Sequence, residues 1–313
     1  MFLQIILVYL QVEKGHGFVM SFISYLINGI SLGSVYAIIA LGYTMVYGIA
    51  KMLNFVHGDV IMIGAFTVFA AVSMAGLPPI VGILLAIILC TVLGIAIEAI
   101  AYRPLRQASS SLVVLITAIG VSYFLQNVAL LIFGANTKAF SSVVNIPALS
   151  LAGGQITITG ETIVTIISCI VIMISLTLFV NKTKAGQAML AVSEDKGAAQ
   201  LMGINVNGTI SLTFAIGSAL AAIAGMLLCS SYPALTPYTG SMPGIKAFVA
   251  AVFGGIGSIP GAFIGGIILG VIEILSKAYI SSQLSDAIVF LVLIIVLLVK
   301  PTGILGKKIQ EKV

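Results

Sequence analysis

Residues 181–208 read NKTKAGQAMLAVSEDKGAAQLMGINVNG, the longest charged interruption in a chain that is otherwise almost continuously apolar. The segment holds Lys182, Lys184, Glu194, Asp195 and Lys196 and separates two strongly apolar stretches. Ser193 is placed to cap a short helix, because its hydroxyl can accept a free first-turn N–H. Glu194 and Asp195 then stand where the helix dipole favours negative charge. Gly203 follows Met202 where a left-handed residue ends a helix. The spacing predicts a helix over 194–202 with Ala198, Leu201 and Met202 close together on one side. At 1.5 Å per residue it is about 13 Å long, so it needs a partner to dock on. The competing reading is a plain connector between two membrane helices.

Composition sets the class of everything around this segment. Hydrophobic residues make up 60% of the 313, and only 7% are charged. No soluble core needs that much apolar surface, and many apolar runs approach the length of a membrane span. The runs are continuous and lack the two-residue alternation of a membrane barrel. Since every backbone polar group in lipid must be paired internally, an all-α bundle remains. The net charge of +5 reflects basic residues at the membrane surface and is no nucleic-acid signal. Cys90, Cys169 and Cys229 sit far apart in apolar segments, which suggests neither a disulfide frame nor a zinc site. Trp is absent, leaving interfacial anchoring against lipid to Tyr, Lys and Arg.

Working outward, apolar spans are expected at 21–49, 60–75, 80–101, 112–133, 162–180, 209–230, 262–275 and 287–299. The stretch 246–256 is half a membrane thick at helical rise. The architecture is therefore a polytopic helical membrane protein with about eight transmembrane helices (range eight to ten), broken near 51–59 and 254–261. The two breaks are flanked by Gly64-Ala65-Phe66 and Gly261-Ala262-Phe263, a weak internal match. Broken helices in corresponding halves often line a transport site. Residues 1–19 begin with an apolar run too short to span and lack a signal-peptide pattern; they are either an interfacial tail or, if Met20 is the start, no part of the protein. The remaining divisions are a transmembrane domain over 20–306, with the loop 181–208 inside it, and a tail over 307–313.

Lys and Arg in short loops orient the bundle. Placing 181–208 in the cytoplasm puts Lys51, Arg103, Arg106, Lys182, Lys184, Lys196, Lys300, Lys307, Lys308 and Lys312 inside, and Lys138, Lys246 and Lys277 outside. The loop and the C-terminus are thus expected on the cytoplasmic side.

The polar residues within the spans are few. Asp59 and His57 flank Gly58 at a helix start, and Asp59 reads first as a cap on free N–H groups. The alternative is a pathway lining, because a backbone break at membrane depth persists only where protein or water covers it. On that reading Asn54, His57, Gly58, Asp59, Gly254, Gly255, Gly257 and Ser258 line the path. Glu98 with Arg103, and Glu273 with Lys277, look like ion pairs. Enzyme readings fail on inventory: Asp59 lacks an aspartate partner, His57 is the only histidine beyond the N-terminal stretch, and no phosphate-binding G-x-x-x-x-G-K-[ST] loop exists. No cofactor is expected.

Three ordered motifs carry a resemblance. They are Tyr47-Gly48-Ile49 with Leu53-Asn54-Phe55-Val56-His57-Gly58-Asp59; Ser193-Glu194-Asp195-Lys196 with Leu201-Met202-Gly203-Ile204-Asn205; and Gly254-Gly255-Ile256-Gly257-Ser258-Ile259-Pro260-Gly261. From 20 to 306 the chain resembles the permease subunits of bacterial high-affinity branched-chain amino-acid ABC transporters. The resemblance implies a subunit of an ATP-driven importer in the bacterial inner membrane. It further implies a homologous second permease, two ATPase subunits, and an extracytoplasmic binding protein delivering leucine, isoleucine or valine. The stretch around Gly197-Ala198-Ala199 and Gly203 is similar to the family's ATPase-coupling helix, so Glu194, Asp195, Ala198, Ala199, Leu201, Met202 and Gly203 are the expected docking residues. Gly197 stands where the family has glutamate, which points to docking by shape and apolar contact. A urea or short-amide importer permease uses a similar chain. A self-sufficient channel for a small neutral solute is the reading from another class, and it has no use for a coupling loop.

Overall fold

The computed structural model describes residues 2–107, 111–151 and 156–306. The expected tail over 307–313 lies outside the described residues. Helix α1 runs Phe2–Ala50, so the backbone of the N-terminal stretch continues directly into the first span. After a short loop come α2 (His57–Phe69), lengthened to Met74 by a π-helical turn, and α3 (Pro79–Ile97), continued by a π-helical turn and a 3-10 turn to Gln107. Helix α4 (Ser111–Phe133) and α5 (Gly160–Lys182) follow, then two short helices, α6 (Lys184–Glu194) and α7 (Lys196–Leu201), inside the charged segment. Helices α8 (Val206–Ser231), α9 (Ser241–Gly254), α10 (Ile259–Tyr279) and α11 (Ser285–Val299) complete the chain. Among the described residues, seven helices are long and apolar enough to cross a membrane, and α9 and α11 are shorter apolar helices. The expected count of about eight lies between those seven and the nine reached with α9 and α11.

Four tiny strands, β1 (Lys138–Ala139), β2 (Leu149–Leu151), β3 (Ile156–Ile158) and β4 (Ala234–Leu235), form two antiparallel pairs, β1 with β4 and β2 with β3.

Helix α8 is the spine. Within its span 78% of the apolar window is buried, against 28% for the span containing α3 and 22% for α5. Those outer helices turn Leu84, Ile88, Val92, Ile167, Val171 and Leu178 outward, as a lipid-facing surface allows. Helix pairs close through small residues, because lipid tails provide no hydrophobic force between helices. The α1–α10 contact is an example: a Cβ placed on Gly33 would come 2.7 Å from the Ile267 Cα. In the same way Gly64 of α2 sits against Ala222 of α8, where an added Cβ would meet its Cα at 2.7 Å.

The basic residues sort by end. Lys51, Arg103, Arg106, Lys182, Lys184, Lys196 and Lys300 lie at the end of the bundle that carries α6 and α7. Lys138 and Lys277 lie at the opposite end. Lys246, counted on the outer side at the start of the half-span 246–256, lies deeper than that reading had it. Helix α9 already starts at Ser241, so Lys246 is more than a turn inside it and only 6% exposed.

Candidate functional site

Three features merit description as a site: the short helices at one end, the two breaks, and a cavity at the other end. The Thr183 hydroxyl accepts from Gly186 N at 3.0 Å and opens α6. That helix is amphipathic, with Gly186, Met189 and Val192 buried and Gln187 and Leu190 outside. The expected cap at Ser193 is not made. Its hydroxyl donates back to Leu190 O at 2.6 Å, Glu194 is the last residue of α6, and Asp195 is the cap of α7. The Asp195 backbone is extended (φ −154°) between the two helices, which frees its carboxylate to accept from Gly197 N (2.8 Å) and Ala198 N (2.9 Å). Gly203 closes the helix in the left-handed region at φ 84°, as its position indicated.

The faces of α7 divide sharply. Ala199 is 4% exposed and packs toward the bundle, whereas Leu201 and Met202 are 90% and 83% exposed. The expected docking set therefore separates: Ala198, Leu201 and Met202 face outward, and Ala199 does not. Lys196 anchors the base by donating to Ala50 O at 2.9 Å. Burial, with Arg106 and Lys51 nearby, lowers the Lys196 ammonium below its ordinary range.

Beside that anchor the fully buried Glu98 gathers the end of α3 and the start of α8. It accepts from Arg103 Nη2 at 2.9 Å and from Ser211 Oγ at 2.5 Å, and it pairs with Arg106. The Glu98–Arg103 pair is as expected; Arg106 and Ser211 join it because the 3-10 turn after α3 folds back toward α8.

The first break follows Lys51, which ends α1 at φ 58°. Asn54 is buried, its Oδ1 accepting from the Tyr102 hydroxyl at 3.1 Å. His57 opens α2 and lies under Tyr43, ring centroids 4.6 Å apart. No side chain caps α2, which corrects the capping role expected of Asp59. Asp59 sits third in the helix, and its carboxylate turns to α4 to accept from Gln126 Nε2 at 2.8 Å. Gly58 meets the chain just before α9: a Cβ there would come 2.7 Å from Gly240 O. Phe55 meets Phe248 of α9 at 5.8 Å.

The second break turns through Gly255 (φ 109°) and Gly257 (φ 90°), and Ser258 accepts from Gly261 N at 3.2 Å to start α10. The chain beyond α11 returns here, with Ile304 N and Leu305 N donating to Phe253 O and Gly254 O, each at 2.9 Å. The two breaks therefore bracket α9, the first against its start and middle, the second at its end.

A polar cluster that sequence spacing only half revealed lies above this. Glu273 of α10 takes Lys277 at 2.5 Å, Lys246 at 2.8 Å and the Tyr36 hydroxyl at 2.8 Å. Lys246 also reaches Asp286 at 2.7 Å. Only the Glu273–Lys277 pair, four apart on one helix, was legible. Next to the cluster opens a cavity of about 780 Å³ between α1, α5, α8 and α10, with Tyr25, Asn28, Glu161, Tyr232 and Lys277 in its wall.

Residues 25–297 match the family described as branched-chain amino acid transport system / permease component. The chain is 48% identical over 304 residues to the high-affinity branched-chain amino acid transport system permease protein LivH of Salmonella typhimurium, covering 93% of this chain and 98% of that protein. Over the same shares it is 46% identical to LivH of Escherichia coli K12 and 44% identical to the permease protein BraD of Pseudomonas aeruginosa. A polytopic helical bundle matched along nearly its whole length in this way belongs to the family of permease components of branched-chain amino acid transport systems.

Proposed function

We propose that this chain is one permease subunit of an ATP-driven importer for leucine, isoleucine and valine. It works with a second, homologous permease, two ATPase subunits and an extracytoplasmic binding protein. The observation that carries the reading is the α7 helix: a capped, anchored helix of six residues that projects Leu201 and Met202 almost fully into solvent. Exposed apolar side chains on a fixed short helix suit insertion into a groove of a partner. Lys196 on Ala50 O ties any movement of α7 to the end of α1.

The orientation follows from charge. Seven described basic residues gather at the α6–α7 end, which the positive-inside tendency places in the cytoplasm, where ATP is available. Within the spans, Glu98 and Glu273 are each matched by basic partners and Asp59 is bonded to Gln126, so among the described residues no unpartnered charge lies midway across the bundle to favour an ionic substrate. A neutral or zwitterionic solute fits.

Uptake by the permease pair reconstituted with its ATPases and cognate binding protein tests the proposal. ATP-dependent accumulation of leucine is expected. Accumulation of urea with none of leucine overturns the substrate, and uptake without any ATPase overturns the importer.

A further inference from the structure

The cavity opposite the α6–α7 end has walls of unlike charge, and no role described above uses them. One wall is the start of α5, where Glu161 sits in the first turn and holds only the Ser142 hydroxyl, 3.0 Å from Oε1, among the described residues. The other is the end of α10, where Lys277 is 39% exposed. Lys277 shares the Glu273 oxygen Oε1 with Lys246, and Tyr36 occupies Oε2. Lys246 also holds Asp286, so two ammoniums meet two carboxylates, and Lys277, the more exposed of the two ammoniums, is the one that lines the cavity. Between the charged walls, Leu32, Val35 and Ile274 supply apolar lining. A volume near 780 Å³ is within the range of small-molecule sites. Each charge taken alone opposes a helix dipole, acidic at an N-terminus and basic at a C-terminus. Dipole compensation leaves unexplained that both face one cavity across an apolar patch.

We propose that this cavity is an admission site for a zwitterionic apolar amino acid, whose carboxylate meets Lys277, whose ammonium meets Glu161, and whose side chain lies on Leu32, Val35 and Ile274. The inference rests on the importer reading and deepens it. Opposed charges suit an amino acid and give no advantage to urea, which carries none. Tyr25 and Tyr232 also line the cavity, and the Tyr232 hydroxyl, pushed up by burial and by Glu273, is near enough to the ion cluster to feel its charge.

The test uses the assembled complex without the binding protein, with Asn28→Cys in the cavity wall as reporter. The three native cysteines are buried. Leucine should slow labelling by a membrane-impermeant thiol reagent. Leucinamide, lacking the carboxylate, and 4-methylpentanoate, lacking the ammonium, should each need about tenfold or more higher concentration, the scale of one charged hydrogen bond. In the Lys277→Gln background the preference for leucine over leucinamide should vanish, and in Glu161→Gln that over 4-methylpentanoate. Labelling that leucine leaves unchanged, or that urea slows equally, overturns the proposal. So does a reporter that never labels, which would mean a partner fills the cavity. If leucine uptake with the binding protein is intact in those cases, only the cavity assignment fails; if leucine uptake itself is absent, the importer reading fails.

Discussion

The Lys196 ammonium and the Ala50 carbonyl oxygen lie 2.9 Å apart, joining residues 146 positions distant in sequence. This single hydrogen bond links the short exposed helix to the end of the longest helix. Two terms oppose each other there: the bond holds α7, while burial and the nearby Lys51 and Arg106 disfavour the charge. Lys196→Met should therefore change thermal stability little while transport per ATP hydrolysed falls. Because the folded protein releases the Lys196 proton earlier than the unfolded chain does, it binds fewer protons just below the ordinary lysine range. Stability should rise with pH through that window, and the slope should flatten in Lys196→Met. Wild-type coupling in Lys196→Met would refute the link.

Leu201 and Met202 should matter for assembly and little for folding. The double variant Leu201→Ser with Met202→Ser is expected to keep its thermal midpoint, since exposed substitutions usually shift stability by about 0.5 kcal/mol or less. It should lose co-purification of the ATPase. Ala199→Arg, at a buried position, should instead displace α7 and destabilise the isolated subunit. A double serine variant that assembles normally rules out docking through this knob.

Glu98 is predicted to be among the most sensitive polar positions. Glu98→Gln leaves Arg106, whose side chain is 12% exposed, without its counter-charge, a loss of about 3–5 kcal/mol for a broken buried pair. Arg103→Ala should cost much less, because Arg103 is 42% exposed and water replaces what is lost. Thermal unfolding of the two variants side by side decides it, and equal losses would contradict this ranking.

Gln126 fixes α4, an outer helix with Leu131 and Ile132 turned outward. Gln126→Leu removes one hydrogen bond from the Asp59 carboxylate, which keeps the Ser122 side chain, and is expected to cost about 1.5–3 kcal/mol. Asp59→Asn, which keeps an accepting oxygen, should cost less. Ala129→Cys, buried in wild type, should become reactive to a small thiol reagent in the Gln126→Leu background. Unchanged protection would mean that the Phe66–Phe133 stack, centroids 4.3 Å apart, holds α4 alone.

The long spans were legible because lipid demands an unbroken apolar run, a signal that needs no knowledge of neighbours. The ion pairs within one helix or turn, Glu98–Arg103 and Glu273–Lys277, were legible for the same local reason. Helix α6 was hidden, since an amphipathic helix of 11 residues reads as ordinary loop beside far more apolar spans. The cap was misplaced by two residues because Ser193 and Asp195 are both good caps, and only the backbone turn between α6 and α7 selects Asp195. The burial of Lys246 was not legible because its partners, Glu273 and Asp286, come from two other helices. Asp59 turned to Gln126, 67 positions away, a pairing that no spacing rule announces.

The burial of α8 bears on how the protein is made. Its segment is apolar enough to enter a bilayer unaided, with a mean hydropathy of 2.1 over its window, yet little of it ends in contact with lipid. Chains emerge N-terminus first, so α1, α2, α3 and α5, the helices it packs against, are already in the membrane when α8 arrives. Its small residues, Gly217, Ala221, Ala222 and Gly225, let it pack closely against those earlier helices once it arrives. Until the ribosome delivers α8, the surfaces of α1, α2 and α3 that it covers in the finished bundle therefore have no α8 against them.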